Sequence, residues 1–239
     1  MYKHIVVIFL CILTFSSVAQ EENEEFEYTR EFTYGFNFNT NGGLLGGVAI
    51  KHSRALNKKS YQSFGLEVVN VKHEKEVRSQ SGTGNFFIFG KQNYLYSIRL
   101  QYGREIILFR KAPEEGVQIN GILAAGPTIG LLAPYYIRYG FTSDDVRVVK
   151  YDPQETPDKI KTYGTGGILQ GLDESQVKIG LNLKAALSFE FGTFKSSVAG
   201  FEAGFLVEGF PEKINLMPTA EKRAVFTSAF FTLYYGKRR

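Results

Sequence analysis

Tyr94-Leu95-Tyr96-Ser97-Ile98-Arg99-Leu100-Gln101-Tyr102 is the stretch on which the fold turns. Every even position carries a large apolar side chain, and Ser97, Arg99 and Gln101 alternate with them. A period of two is the period of a strand, with one apolar and one polar face. A second run repeats it: Val177, Ile179, Leu181, Leu183, Ala185, Leu187, Phe189 and Phe191 alternate with Lys178, Asn182, Lys184, Ser188 and Glu190. Shorter versions occur at Phe32, Tyr34, Phe36 and Phe38, at Phe64, Leu66 and Val68, and at Phe201, Phe205 and Val207. Runs of about ten residues are long enough to cross a bilayer as tilted strands.

Worked outward, the pattern predicts eight strands, at 29–39, 44–53, 61–70, 92–108, 117–136, 177–191, 197–208 and 224–235. Asn39-Thr40-Asn41-Gly42-Gly43 is a turn signal between the first two. Connections after strands two, four and six are short. Those after strands three, five and seven are long, the longest covering 141–176. That asymmetry suits an all-β, closed antiparallel up-and-down transmembrane barrel with long outer loops, short periplasmic turns and both termini in the periplasm. Pro127 falls inside strand five, and a closed barrel has no edge to shelter it, so a bulge is expected at Gly126-Pro127.

The ends agree with export. Residues 1–19 read as a cleaved signal peptide: Lys3 and His4 open it, an apolar stretch too short to span a bilayer follows, and Ser17-Val18-Ala19 offers small residues for cleavage. Cys11, the only cysteine, lies within it. Leu10 precedes it where a lipoprotein needs a small residue, so disulfide, thiol and zinc–thiolate chemistry is excluded from the mature chain. Residues 20–28 form an acidic leader, expected to be flexible, and 29–239 form one barrel domain. The formal net charge is only +4 and no long basic run occurs, so nucleic acid is not an expected partner. The closing Lys237-Arg238-Arg239 reads as a solvated tail.

With the export signal ending Ser17-Val18-Ala19-Gln20, Tyr- and Phe-rich strands and the closing Phe230-Phe231-Thr232-Leu233-Tyr234-Tyr235-Gly236-Lys237-Arg238-Arg239, the chain resembles the small eight-stranded outer-membrane barrels of Gram-negative bacteria, those of Bacteroidota in particular. The resemblance spans the mature chain and is architectural. It implies the outer membrane, with the lipid bilayer as surroundings. One departure is that four residues follow Tyr235, where such barrels commonly end on an aromatic.

If the apolar face meets lipid, the lumen receives Lys51, Glu67, Arg99, Gln101, Gln118, Asn120, Lys184, Glu190, Glu202 and Glu208. An eight-stranded barrel is just wide enough for side chains to fill it. The expectation is therefore a plug of paired charges, with Lys184 meeting Glu202 and Arg99 meeting Glu67. Arg at Leu181 or Leu183 should harm insertion, and Ser at Asn182 should be mild. Catalysis has little support. His52 and Ser53 are adjacent, so on a strand they point to opposite faces and cannot form a base–nucleophile pair. His73, in Lys72-His73-Glu74-Lys75-Glu76, reads as solvated. Asp144, Asp145, Asp152, Asp158 and Asp173 lack the spacing of a calcium loop. No cofactor or metal is expected.

The long outer loop is the expected place of work. Val146-Arg147-Val148-Val149-Lys150-Tyr151 has strand character, and Asp144, Arg147, Lys150 and Tyr151 are the candidate contacts for an outer-membrane protein partner. The expected role is a non-enzymatic structural or accessory subunit of a larger outer-membrane assembly or secretion complex. A small-solute channel and a lipid A-modifying enzyme are the alternatives.

Overall fold

The computed structural model describes residues 29–110, 116–140, 145–156, 158–167, 170–191 and 196–239. The signal peptide, the acidic leader and Asp144 lie outside the described residues. Eight long strands make the barrel: β1 (Arg30–Asn39), β2 (Gly43–Asn57), β3 (Ser60–Val71), β6 (Asn93–Phe109), β7 (Gln118–Pro134), β11 (Gln176–Phe191), β12 (Ser197–Ile214) and β13 (Arg223–Arg238). Short strands lie in two of the connections: β4 (Arg78–Gln80), β5 (Phe86–Ile88), β8 (Tyr136–Gly140), β9 (Val146–Lys150) and β10 (Thr162–Thr165). Every barrel strand pairs antiparallel with its neighbour, and β1 zips onto β13 from Glu31↔Arg238 to Asn39↔Phe230 to close the sheet. The chain is an all-β, up-and-down, eight-stranded closed barrel, as the alternation predicts.

The polarity of its two faces is inverted relative to a protein in water. Leu181 and Phe205 on the outside are each 70% exposed, while Glu67 (1%), Arg99 (3%) and Glu208 (0%) face inward. Aromatic rings tile part of the exterior, with Phe189 and Phe201 stacked at 4.7 Å and Phe201 and Phe231 at 5.0 Å. An apolar wall around a polar interior is the surface of a transmembrane barrel, where hydrocarbon replaces water outside.

Connections at the end holding Thr29 and Arg239 are short; the one between β2 and β3 is 58–59. Three of the four at the far end are long, at 72–92, 135–175 and 215–222. The fourth, 40–42, hands over to Gly43, whose φ of +86° is left-handed backbone that glycine adopts without strain.

Two strand expectations need correction. No bulge forms at Pro127: it stands opposite Leu181 in a β7–β11 ladder that keeps register throughout. On its other side the β6–β7 pairing lapses between Arg99↔Thr128 and Tyr102↔Ala125 and resumes in the same register. The strand absorbs the missing N–H by dropping ladder bonds. Asn182 covers the gap, its Nδ2 lying 3.0 Å from the Gly126 carbonyl and 3.0 Å from Thr128 Oγ1. Its Oδ1 accepts from Gln101 at 3.2 Å. Asn182→Ser is therefore not mild. It should cost about 1–3 kcal/mol, the usual penalty for stranding buried polar groups, in reversible denaturant unfolding of the folded barrel. The second correction is the C-terminus. Arg238 is not a solvated tail: β13 continues past Tyr235 and turns Arg238 into the lumen, 4% exposed.

Candidate functional site

The lumen is built by strand parity. On β2, β3, β6, β11, β12 and β13 the inward positions bring charged groups from opposite walls together. Lys51 lies 3.1 Å from Glu105 and 3.6 Å from Glu202. Glu202 lies 2.6 Å from Lys184, and Lys184 is 2.7 Å from Glu67. Glu67 is 3.5 Å from Arg99, whose Nε donates to Glu208 at 2.9 Å. The result is one alternating chain, Glu105–Lys51–Glu202–Lys184–Glu67–Arg99–Glu208. Its two terminal carboxylates each accept a hydroxyl, from Ser53 at 2.9 Å and from Ser97 at 3.1 Å. Lys184 also sits 4.9 Å from the centre of the Phe230 ring.

Nearer the terminal end is a second cluster. Arg238 reaches Glu190 at 2.6 Å and Glu31 at 3.1 Å. Tyr234 and Ser188 share a hydrogen bond of 2.7 Å. The seven charged residues named from the sequence thus fall in two groups: Lys51, Glu67, Arg99, Lys184, Glu202 and Glu208 in the long chain, Glu190 in the short one. Glu31, Glu105 and Arg238 were missed. Glu31 and Glu105 share parity with residues already assigned inward, so extending each alternation by a few residues would have found them.

Above the charges, the inward positions turn apolar. Val69, Val71, Leu95, Leu132, Phe210, Ile214, Leu216 and Phe226 pack into one buried cluster across the far end of the lumen. The Phe210 ring fits because Gly130 and Gly180 face it; a Cβ at either would lie under 3 Å from the ring. Beside the charged chain a cavity of about 30 Å³ remains, bounded by Lys51, Glu67, Lys184 and Glu202. That is room for about one water. Salt bridges and an apolar stopper thus fill the bore in series.

The far-end loops form a folded head. β8 leaves the barrel one residue after β7 and is flanked by β9 and β10, in the order β10-β8-β9, while β4 and β5 make a hairpin. Tyr135, Ile137, Tyr139 and Tyr151 form its core. The Tyr135 hydroxyl accepts from the Ile88 N–H at 3.0 Å, and burial pushes its pKa up to about 12. Ser81 Oγ donates to the Tyr163 carbonyl at 3.1 Å, and the Gln92 N–H donates to Leu216 O at 2.8 Å, tying three loops together. Lys91 is wholly buried, pairs with Glu76 at 2.7 Å and lies 4.3 Å from the Tyr94 ring centre. Burial pulls the Lys91 pKa down, and Glu76 opposes it.

His73 is a correction. It is 6% exposed rather than solvated, with its Nδ1 accepting from the Lys75 N–H at 3.1 Å. His52 faces out and Ser53 in, so this dipeptide makes no catalytic pair. Of the partner-contact candidates, Arg147 and Lys150 are on β9, which among the described residues is the outer strand of its three-stranded sheet. Arg147 pairs with Asp145 at 2.6 Å and Lys150 with Glu174. Tyr151 is instead buried in the head, its ring 6.2 Å from Phe89.

No protein family matches the sequence, and no curated protein does. Solved structures to which the chain is similar include those of two proteins. One is Ail, the attachment invasion locus protein of Yersinia pestis, alone (TM-score 0.39) and in complex with the heparin analogue sucrose octasulfate (TM-score 0.38). In both, identity is 12% over 88% of this chain and 97% of Ail. The other is Neisserial surface protein A, at TM-score 0.40 and 11% identity over 89% of this chain and 97% of that one. Likenesses at this level carry no argument about what the chain does.

Proposed function

We propose that this chain is a non-enzymatic outer-membrane barrel of a Gram-negative, Bacteroidota-like bacterium, a structural or accessory subunit whose lumen is closed to solutes and whose head binds a protein partner. Cleavage after Ala19 and both termini in the periplasm belong to the same reading. The observation that carries it is the occupied lumen: among the described residues a continuous ion-pair chain and, beyond it, the buried Phe210 cluster lie across the bore, which supports a closed barrel. What remains for function is the outer end. There β9 is an edge strand, and Val146 and Val148 stand exposed on it outside the apolar belt. An exposed edge with apolar side chains is a template for strand addition by an extended segment of another protein.

Two measurements test this. Purified protein in a planar bilayer should show no stepwise conductance; steady single-channel currents would put the solute-channel reading ahead. Val146→Lys with Val148→Lys should leave insertion and heat-resistant folding intact and abolish recovery of the partner in mild detergent. A partner retained by this variant, or none found with the intact protein, defeats the subunit reading.

A further inference from the structure

The rim between barrel and head holds a pocket of about 330 Å³ that the reading above does not use. That volume is at the small end of the range of roughly 300–1,000 Å³ for small-molecule sites. Its uncharged polar lining is four carboxamides: Gln92 and Asn93 entering β6, Gln176 opening β11, and Asn215 just after β12. All four lie on or directly beside barrel strands, so rigid elements set their spacing.

The carboxamides orient one another. Asn215 Nδ2 donates to Gln92 Oε1 at 2.7 Å, and Asn93 Nδ2 donates to the Asn215 carbonyl at 2.8 Å. These bonds leave Asn215 Oδ1 buried with no donor. Among the described residues the charged lining groups are Lys150 and Glu174, which pair with each other, and the Tyr136 hydroxyl also bonds Glu174. Those two bonds hold the Glu174 carboxyl below its usual range, so the pair stays ionised and jointly neutral. Leu132 and Pro134 add a small apolar surface.

We propose that this pocket binds a neutral, hydroxyl-rich ligand of one or two sugar units. A carboxamide both donates and accepts, as a hydroxyl does, so carboxamides match a polyol without a net charge on either side. Pro134, half-buried at the rim, suits the C–H face of a pyranose ring. A phosphate, sulfate or carboxylate ligand would instead need a cation not already neutralised, and the described residues of the lining offer none.

The test uses the full chain in dodecyldimethylamine oxide, because sugar-headed detergents would compete. Titration calorimetry with cellobiose, maltose, chitobiose and mannobiose is set beside glucuronate, glucosamine and trialanine amide. At least one neutral sugar should bind saturably. Gln176→Leu, at an exposed position, and Asn215→Leu should each weaken it by about tenfold or more, with the heat-resistant fold retained. No saturation by any neutral sugar below about 10 mM overturns the proposal. So does equal binding by the Gln176→Leu variant, or a preference for the charged sugars or the peptide amide.

Discussion

Arg99→Ala should lower the stability of the folded barrel by about 3–5 kcal/mol, the cost of removing one partner from a buried ion pair. Two carboxylates lose a cation, but not equally. Glu67 keeps Lys184 at 2.7 Å, whereas Glu208 keeps, among the described residues, the Ser97 hydroxyl at 3.1 Å. Arg99 is also closer to Glu208 (2.9 Å) than to Glu67 (3.5 Å). Adding Glu208→Gln should therefore recover more of the loss than adding Glu67→Gln. Double-mutant cycles by urea unfolding in lipid vesicles read this directly, with coupling for contacting residues of about 0.5–3 kcal/mol. No coupling to either carboxylate would mean that the bore is not organised as the ion-pair chain.

The chain of charges also shows what the sequence could and could not say. Parity placed Lys51, Glu67, Arg99, Lys184, Glu190 and Glu202 on the inner wall, because a strand's side chains have no third direction. Pairs on neighbouring strands lie within reach of the antiparallel pairing: Glu67 stands opposite Arg99, and Glu202 stands opposite Ser188, four residues from Lys184 on the same strand face. Cross-bore partners do not follow. Lys184 reaches Glu67, and Arg99 reaches Glu208, across a lumen whose width and stagger depend on all eight strands at once.

The far end was harder still. Val69, Leu95 and Leu132 have inward parity yet are apolar, so alternation fades just where both faces are greasy. A stretch apolar on both faces carries no period, and the stopper was invisible for that reason. Pro127 misled in the opposite direction. The rule that a central proline forces a bulge assumes an intact ladder, and here Asn182 takes the released acceptors instead. The strand character of 146–151 was legible because valines alternate with charge over Val146-Arg147-Val148, and β9 forms at Val146–Lys150. That β9 would lie at the sheet's edge, with Tyr151 turned into the core, depends on β8 and β10, which carry no comparable signal.

Leu181→Arg should cost about 2–4 kcal/mol, the penalty for a cation on the lipid face near the bilayer midplane. Leu181 points outward, is 70% exposed, and lies well inside β11, opposite Pro127 and Gly209. The size of the effect decides what surrounds the barrel. On a protein in water, an exposed Leu-to-Arg change away from special features stays within about 0.5 kcal/mol, so a loss of several kcal/mol is itself a signature of hydrocarbon. Depth gives an internal control. Val177 is equally outward, at the far-end start of the same strand, and Arg there should cost only about 0–1 kcal/mol, because the long side chain reaches the interface. Reversible unfolding from lipid vesicles for Arg at 177, 179, 181 and 183 should trace a profile that rises toward the middle of β11. A flat profile near zero would place water, not lipid, against this wall, and the membrane assignment would fall with it.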